Sequence, residues 1–408
     1  MTDSDDLRDG SFVDFDASAE MSPAFLKALH STKNVTGLTH NHYRYPARFA
    51  PEFVREAIAT FSKPGNIVLD PFMGGGTCAV EALAAGRKFL GIDINQLAHF
   101  VSRVKTTVLT TRDEAAVLGW VTGLTHAIHV FAKEEEDLSA LPYQKHIPWW
   151  LKSIIRQAID SLELLGNSTQ RNFARCSILR TAQWALDCRK RFPDKKEFLA
   201  KHHDVVVQMI LGSQEFSEKF LEHFGVGPTS SKNRRLICAD TAHLGKMSRG
   251  NAFGTPDLVV TSPPYLGVHV LYHRWQVQGR RETGAPYWIA GKQDNHSGIF
   301  YTFADRRSAR ADQYLTRLRA CLQPVVSLMS AKTFFVQLVA FRDPDIQLPL
   351  YQSALRDIGL EPCESVAPSA IDRNPSRAVP NRRWYAILGK QSKSSEEFLL
   401  VHRRTRSR

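Results

Sequence analysis

Apolar and polar positions along the chain fall into three regimes. Up to about residue 110, short unbroken apolar runs alternate with segments of helical spacing. Glu52–Phe61 has the three-to-four spacing of a half-buried helix, and Ile67-Val68-Leu69 is short enough for a buried parallel strand. Ala79, Val80, Leu83 and Ala84 then resume helical spacing. Phe89–Ile92 is a second buried run, and Asn95–Thr107 is helical with Phe100, Val101 and Val104 on one side. From about Thr111 to Lys232 the pattern predicts helices alone, over Arg112–Lys133, Pro148–Leu165, Asn172–Leu186 and Phe198–Phe224. From Arg235 the alternation returns, with runs at Arg235–Asp240, Leu258–Thr261, Lys332–Phe341 and Arg383–Leu388 and amphipathic helices over Tyr314–Leu328 and Leu348–Ile358. Strands alternating with helices predict an α/β fold with a Rossmann-like, mostly parallel sheet. The expected organisation is an acidic disordered tail over 1–21, an α/β domain over 22–110 and 233–390, an all-helical insert over 111–232, and a basic tail over 391–408.

The junction after the first buried run carries chemistry. Asp70 stands where the strand ends, and Pro71-Phe72-Met73 leads into Gly74-Gly75-Gly76 and Thr77. Glycines there permit positive φ and a close backbone approach to a ligand. Thr77 is expected to cap the following helix and Gly86 to end it. The second run ends at Asp93, where a Rossmann-type half places the acid that takes a ribose hydroxyl pair. Gly-rich strand-to-helix turns also serve other nucleotides and plain packing. This one lacks the lysine of a phosphate-binding P-loop and the Gly-x-Gly-x-x-Gly dinucleotide spacing. An acid, Pro-Phe and packed glycines suit a ligand with a cationic amino-acid part and no phosphate, such as S-adenosylmethionine (AdoMet).

Asp257–Tyr265 is a second junction: a buried run delivers Ser262-Pro263-Pro264-Tyr265 to the carboxyl edge of the sheet, where open α/β folds place their sites. Paired prolines fix φ and donate nothing, so they hold nearby carbonyls in place. An exocyclic aromatic amine needs acceptors for its N–H bonds when its lone pair attacks a methyl sulfonium. The Ser262 hydroxyl and the Ser262 or Pro263 carbonyl are candidates, and Tyr265 offers a face for an extruded base. The alternative is a proline-rich strand end before a loop.

Asp70-Pro-Phe-Met-Gly-Gly-Gly-Thr77 and Thr261-Ser-Pro-Pro-Tyr265 together resemble the AdoMet-dependent DNA amino-methyltransferases. The resemblance implies a seven-stranded, mostly parallel sheet with an antiparallel last strand and AdoMet as cofactor. It also implies that Thr39–Pro51, through Pro46-Ala-Arg48-Phe49-x-Pro51, wraps the methionine end. Arg48, Phe49, Asp70, Phe72, Gly74, Gly76, Thr77 and Asp93 would hold AdoMet, with Asp240 near its adenine, while Ser262, Pro263, Pro264 and Tyr265 would orient a base flipped from double-stranded DNA. A first-position serine is more typical of cytosine N4 enzymes, and Asp or Asn of adenine N6 enzymes. Adenine N6, RNA and protein-amide methylation are the enzyme alternatives, the last disfavoured because Asn-Pro-Pro-Tyr is absent. A nucleic-acid-binding regulator that keeps AdoMet without turnover is the non-enzyme one. A cognate restriction endonuclease or defence component is a further expected partner.

Composition adds to this. The 408 residues carry a net charge of +12 and a pI near 9.5, which favours a polyanionic partner. Interleaved Arg and aromatic residues between Leu266 and about Arg310 suit phosphate contact and base stacking, and Arg274 and Trp275 are the substrate-binding candidates. The six cysteines show no zinc spacing, so neither a metal nor a disulfide framework is expected. The absence of an apolar run of about eighteen residues and of a signal-peptide pattern predicts a soluble, cytoplasmic protein without membrane contact. Pro362-Cys363 resembles the Pro-Cys nucleophile of cytosine C5 enzymes, but it lies far past the strand that should carry it, and no Glu-Asn-Val follows. The enzyme reading requires Asp93 and Tyr265 to share one cleft.

Overall fold

The computed structural model describes residues 23–31, 35–46, 48–129, 143–225, 227, 229–248, 253–266, 274–278, 281–294, 303, 311–341, 343–363, 375–378 and 396–405. In chain order the first half comprises α1 (Pro23–Leu29), α2 (Pro51–Phe61), β1 (Ile67–Asp70), α3 (Thr77–Ala84), β2 (Lys88–Asp93), α4 (Gln96–Lys105), α5 (Thr111–Ala127), α6 (Trp149–Asp160), α7 (Ser168–Leu186) and α8 (Lys195–Phe224). The second half comprises β3 (Arg234–Cys238), α9 (Leu244–Ser248), β4 (Leu258–Thr261), β5 (Trp275–Val277), β6 (Arg281–Thr283), α10 (Ala285–Ala290), α11 (Ala311–Leu328), β7 (Phe334–Ala340), α12 (Pro344–Asp357), β8 (Leu360–Pro362), β9 (Ser376–Ala378) and β10 (Glu396–Arg404).

The main sheet runs β3-β2-β1-β4-β7-β10-β8, with β9 paired to β10 as an eighth strand. From β3 to β7 every pairing is parallel, and β10 runs antiparallel to β7, β8 and β9. A parallel sheet must be covered on both faces, and period-two alternation supplies both. Val68, Phe89, Val260 and Val336 pack with Phe53, Val54, Val80 and Leu83 of α2 and α3. Their neighbours Leu69, Leu90, Val259 and Phe335 pack on the other face with Leu318, Leu322, Tyr351 and Leu355 of α11 and α12. All seven residues of β7 are buried, as a central strand requires.

Between β2 and β3 the chain is helical among the described residues. Two of its helices open with reciprocal caps, Thr110 with Asp113 and Asp194 with Glu197. These helices share one apolar cluster with α4, β5 and α10, and Phe216 and Phe220 of α8 reach the cluster under α3.

One reading changes here. Residues 396–404, expected within a basic tail, form β10, the antiparallel strand between β7 and β8. The cations at its end are held: the Arg403 guanidinium lies 3.9 Å from the Phe334 ring centroid, and Arg404 donates to the Met329 carbonyl at 2.7 Å. The run Arg383–Leu388, expected to be the last strand, lies outside the described residues, as do 1–21.

A chain truncated after residue 395 would leave β7 and β8 without their shared partner and is expected to lose cooperative unfolding, where loss of a mere tail would change nothing. Leu399→Ala, at a site 2% exposed, is expected to cost about 2–5 kcal/mol in urea denaturation.

Candidate active site

The strand order reverses between β1 and β4, and such a switch point opens a crevice at the carboxyl ends of the strands. β1 ends at Asp70 and β4 at Thr261, both buried. The Thr261 hydroxyl donates to Asp70 Oδ1 at 2.8 Å, joining residues 191 apart, and the Phe72 amide donates to the same oxygen at 3.1 Å. Beyond Asp70 the chain turns through Gly74 (φ 48°) and Gly76 (φ 77°), both left-handed. A Cβ on Gly75 would lie 2.5 Å from Tyr45 Cβ, and one on Gly76 would lie 2.6 Å from Ser102 Oγ. The helix cap is Gly76, so Thr77, expected at that position, is instead the first helical residue.

Asp93 ends β2 and accepts from the Gly74 and Asn95 amides, each at 2.8 Å. Asn95 also bonds the Tyr45 and Tyr287 hydroxyls at 3.1 and 2.9 Å, so the segment over the glycine turn and α10 meet beside Asp93. Burial raises the Asp70 carboxyl to about 7 against its hydrogen bonds from Phe72 and Thr261, and the Asp93 carboxyl to about 6 against its two amides. Burial, with Arg48 nearby, brings the Lys105 ammonium down to about 7, and its Nζ donates to the Gly75 carbonyl at 2.9 Å. For Asp240 burial acts upward, but Arg317 and the Ala242 amide outweigh it and hold the carboxyl below its ordinary range.

Asp70, Asp93 and Asp240 line one cleft whose open space, solvent-facing mouth included, is ≈ 920 Å³. It brings together Arg48, Phe49, Asp70, Phe72, Gly74, Thr77, Asp93 and Asp240 with Ser262, Pro264 and Tyr265. Asp93 and Tyr265 therefore share a cleft. Gly76 and Pro263 are buried outside its lining. The Ser262 hydroxyl donates to the Tyr265 hydroxyl at 2.9 Å, and the Tyr314 hydroxyl donates to the Pro264 carbonyl at 2.6 Å.

Trp275 does not belong to this set. It is 3% exposed in β5, within the apolar cluster of the helical segment, and its indole donates to the Tyr43 hydroxyl at 3.0 Å, so its ring is closed to a base. Arg274 beside it is exposed and does not line the cleft. Tyr272, His273, Arg280, Arg306 and Arg307 lie outside the described residues. Trp149 is 63% exposed, whereas Trp150 packs against the helical cluster. Cys363 flanks β8, its amide bonded to the Val401 carbonyl.

Sequence reasoning missed Arg317, Phe303 and Tyr45, which line the cleft. Arg317 lies on the polar side of an amphipathic helix and carries no local signal. Tyr45 was visible within Thr39–Pro51 but was not singled out. The segment 41–44 is clamped by α7: Cys176 Sγ contacts the His42 carbonyl at 3.7 Å, Arg180 donates to the Asn41 carbonyl at 3.3 Å, and Gln183 exchanges bonds with the Arg44 backbone at 3.2 and 2.9 Å. Among the described residues, no group of three or more His, Cys, Asp or Glu is placed to hold a metal ion, and no helix is long and apolar enough to cross a membrane.

Residues 18–101, which contain α1 to β2 and the glycine turn, match the family described as DNA methylase. The chain is 28% identical over 263 residues to the type II methyltransferase M.MvaI of Kocuria varians, covering 57% of this chain and 54% of that protein. It is 41% identical over 58 residues to the DNA adenine methyltransferase YhdJ of Escherichia coli, covering 14% of this chain and 20% of YhdJ. The chain thus spans about half the length of the first relative and less of the second. The matched segment and these relatives make the chain similar to the amino-methyltransferases among the DNA methylases.

Proposed function

We propose that the chain is a DNA methyltransferase that moves a methyl group from AdoMet to the exocyclic amine of a flipped base, with cytosine N4 the preferred target. The observation that carries the proposal is the single cleft shared by Asp70, Asp93 and Ser262–Tyr265. The lining fits AdoMet on two counts. Asp70 is buried and Asp93 half-buried, and lost hydration is what raises both carboxyls, so binding an ammonium and ribose hydroxyls would relieve it. The glycine turn leaves backbone that a Cβ would obstruct. Bound there, AdoMet would supply an electrophilic methyl on a sulfonium.

The chain's own residues would do the rest. Arg48 and Phe49 would close over the methionine end, Asp70 would face the ammonium, Asp93 the ribose and Asp240 the adenine edge. Ser262 would take an N–H of the target amine, and Tyr265 would stack on the base. Holding amine and methyl in line contributes most of the acceleration, as proximity does in displacement reactions generally. A net charge of +12 supports a polyanionic substrate. So does the helical segment 111–232, whose Arg180 lies near Arg44 and Arg48: burial and their repulsion bring its guanidinium down to about 10. Ser262 at the head of the tetrapeptide favours cytosine, and the similarity to YhdJ, an adenine enzyme by name, supports adenine N6 as the second reading. We extend the proposal to a modification enzyme paired with a nuclease and working in the cytoplasm.

Expression in a host without DNA modification, followed by long-read mapping of modified bases, is expected to reveal N4-methylcytosine at one motif. Adenine marks would favour the second reading, and unmodified DNA would refute both. Ser262→Ala is expected to lower methyl transfer at least ~100-fold, the scale of losing one well-placed polar contact to a reacting group, while AdoMet binding by calorimetry stays within about twofold.

Asp70→Asn tests the electrostatics. A carboxyl at about 7 in the folded chain, against roughly 4 when unfolded, contributes stability that is present at low pH and lost as pH rises through the folded value. The variant is therefore expected to show a flatter fall in melting temperature between about pH 4 and 7, and an AdoMet affinity weakened about tenfold or more at pH 8.

A further inference from the structure

Glu397 lies behind the cleft wall, 6% exposed, on the strand first taken for a tail. It stands in register with Arg377 of β9, whose guanidinium bonds Glu397 Oε2 at 2.7 and 2.6 Å and the Leu29 carbonyl at 3.1 Å. The Tyr265 hydroxyl donates to Glu397 Oε1 at 3.0 Å, and the Ser262 hydroxyl reaches Tyr265 at 2.9 Å.

The donor inventory fixes the direction of this chain of bonds. A carboxylate paired with a guanidinium only accepts, so the single hydrogen of Tyr265 goes to Glu397. The Tyr265 oxygen can then only accept from Ser262, whose own hydrogen is consumed. Ser262 Oγ faces the cleft with lone pairs alone.

We propose that Glu397 is a positioning residue which, through Tyr265, sets Ser262 as an obligate hydrogen-bond acceptor for the N–H of a substrate amine. The proposal rests on the amino-methyltransferase reading of the cleft. In that reaction the amine nitrogen forms its bond to the methyl carbon as the carbon–sulfur bond breaks and its electron pair stays on sulfur. The nitrogen then releases one proton to water. An acceptor on the N–H orients the nitrogen lone pair toward the methyl, and a donor in its place would compete for that lone pair.

Glu397→Gln reverses the polarity. Arg377 offers only donors and takes the amide oxygen, so the amide NH₂ faces Tyr265, Tyr265 turns its hydrogen to Ser262, and Ser262 turns its hydrogen into the cleft. The expected result is a kcat about 10- to 100-fold lower, the range for a buried polar group left facing a like partner. AdoMet affinity and KM for DNA should stay within about twofold. Tyr265→Phe, which keeps the ring and breaks the relay, should lower kcat similarly, and the double variant should be no slower than Tyr265→Phe alone. A Glu397→Gln kcat within about threefold of the parent, or two effects that multiply, overturns the proposal. A second readout needs no turnover. In ¹³Cζ-tyrosine-labelled protein, with the Tyr265 resonance identified by its loss in Tyr265→Phe, Glu397→Gln should shift that resonance. A resonance that stays in place overturns the relay. A shifted resonance in a chain that methylates no DNA overturns the DNA reading and leaves the relay standing.

Discussion

One hydrogen bond holds the two halves of the site together, that from Thr261 Oγ1 to Asp70 Oδ1 at 2.8 Å. It forms only because β1 and β4 lie side by side in parallel, with Val68 opposite Leu258 and Leu69 opposite Val259. In this register Asp70 lies level with Val260, and a slip of one residue would displace Thr261 by roughly 3.3 Å relative to the carboxylate it bonds. The same slip would exchange Val68 and Leu69 between the two apolar layers. The packing of both faces therefore enforces the register on which the cleft depends.

The cleft concentrates unfavourable electrostatics that the fold tolerates. One carboxylate is buried and a second half-buried at neighbouring strand ends, a lysine is buried beneath the glycine turn, and the ordinary values of all three are displaced chiefly by lost hydration. The buried Glu81, by contrast, is paired: it receives Arg55 at 2.9 and 3.0 Å and His40 at 2.7 Å, which ties the segment over the glycines to α3. That contrast separates a binding site from a structural ion pair, since a group left short of partners in the free protein is the one a ligand can satisfy.

The legible parts of the sequence were those whose chemistry is local. The strand ends at Asp70 and Asp93, the glycine turn and the Ser-Pro-Pro-Tyr strand end are contiguous signals, because a strand, its turn and its first helical residues are neighbours in the chain. Trp275 misled because an aromatic among arginines looks the same whether its indole faces a base or Tyr43. β10 was misread through its charge: Arg403 and Arg404 suggested a solvated tail, while Phe398–Val401 just before them was already a short apolar run. Arg317 and Glu397 had no signal at all. Each enters the site by pairing across 77 and 132 residues, with Asp240 and Tyr265 respectively, and no spacing rule reaches that far.

The helical segment between β2 and β3 presents the remaining question of design. Its α7 touches the chain at Asn41, His42 and Arg44, immediately before Tyr45, which underlies Gly75. It also abuts β5, where the Cys188 amide donates to the Gln276 carbonyl at 2.8 Å. A rigid helix bonded on one side to the segment over the glycine turn, and on the other to the stretch that follows the tetrapeptide, couples the two by geometry. Any displacement of α7 by a bound polyanion would move Tyr45 against glycines that leave no room for it. The insert would then act on the glycine-turn side of the cleft as much as on the tetrapeptide side.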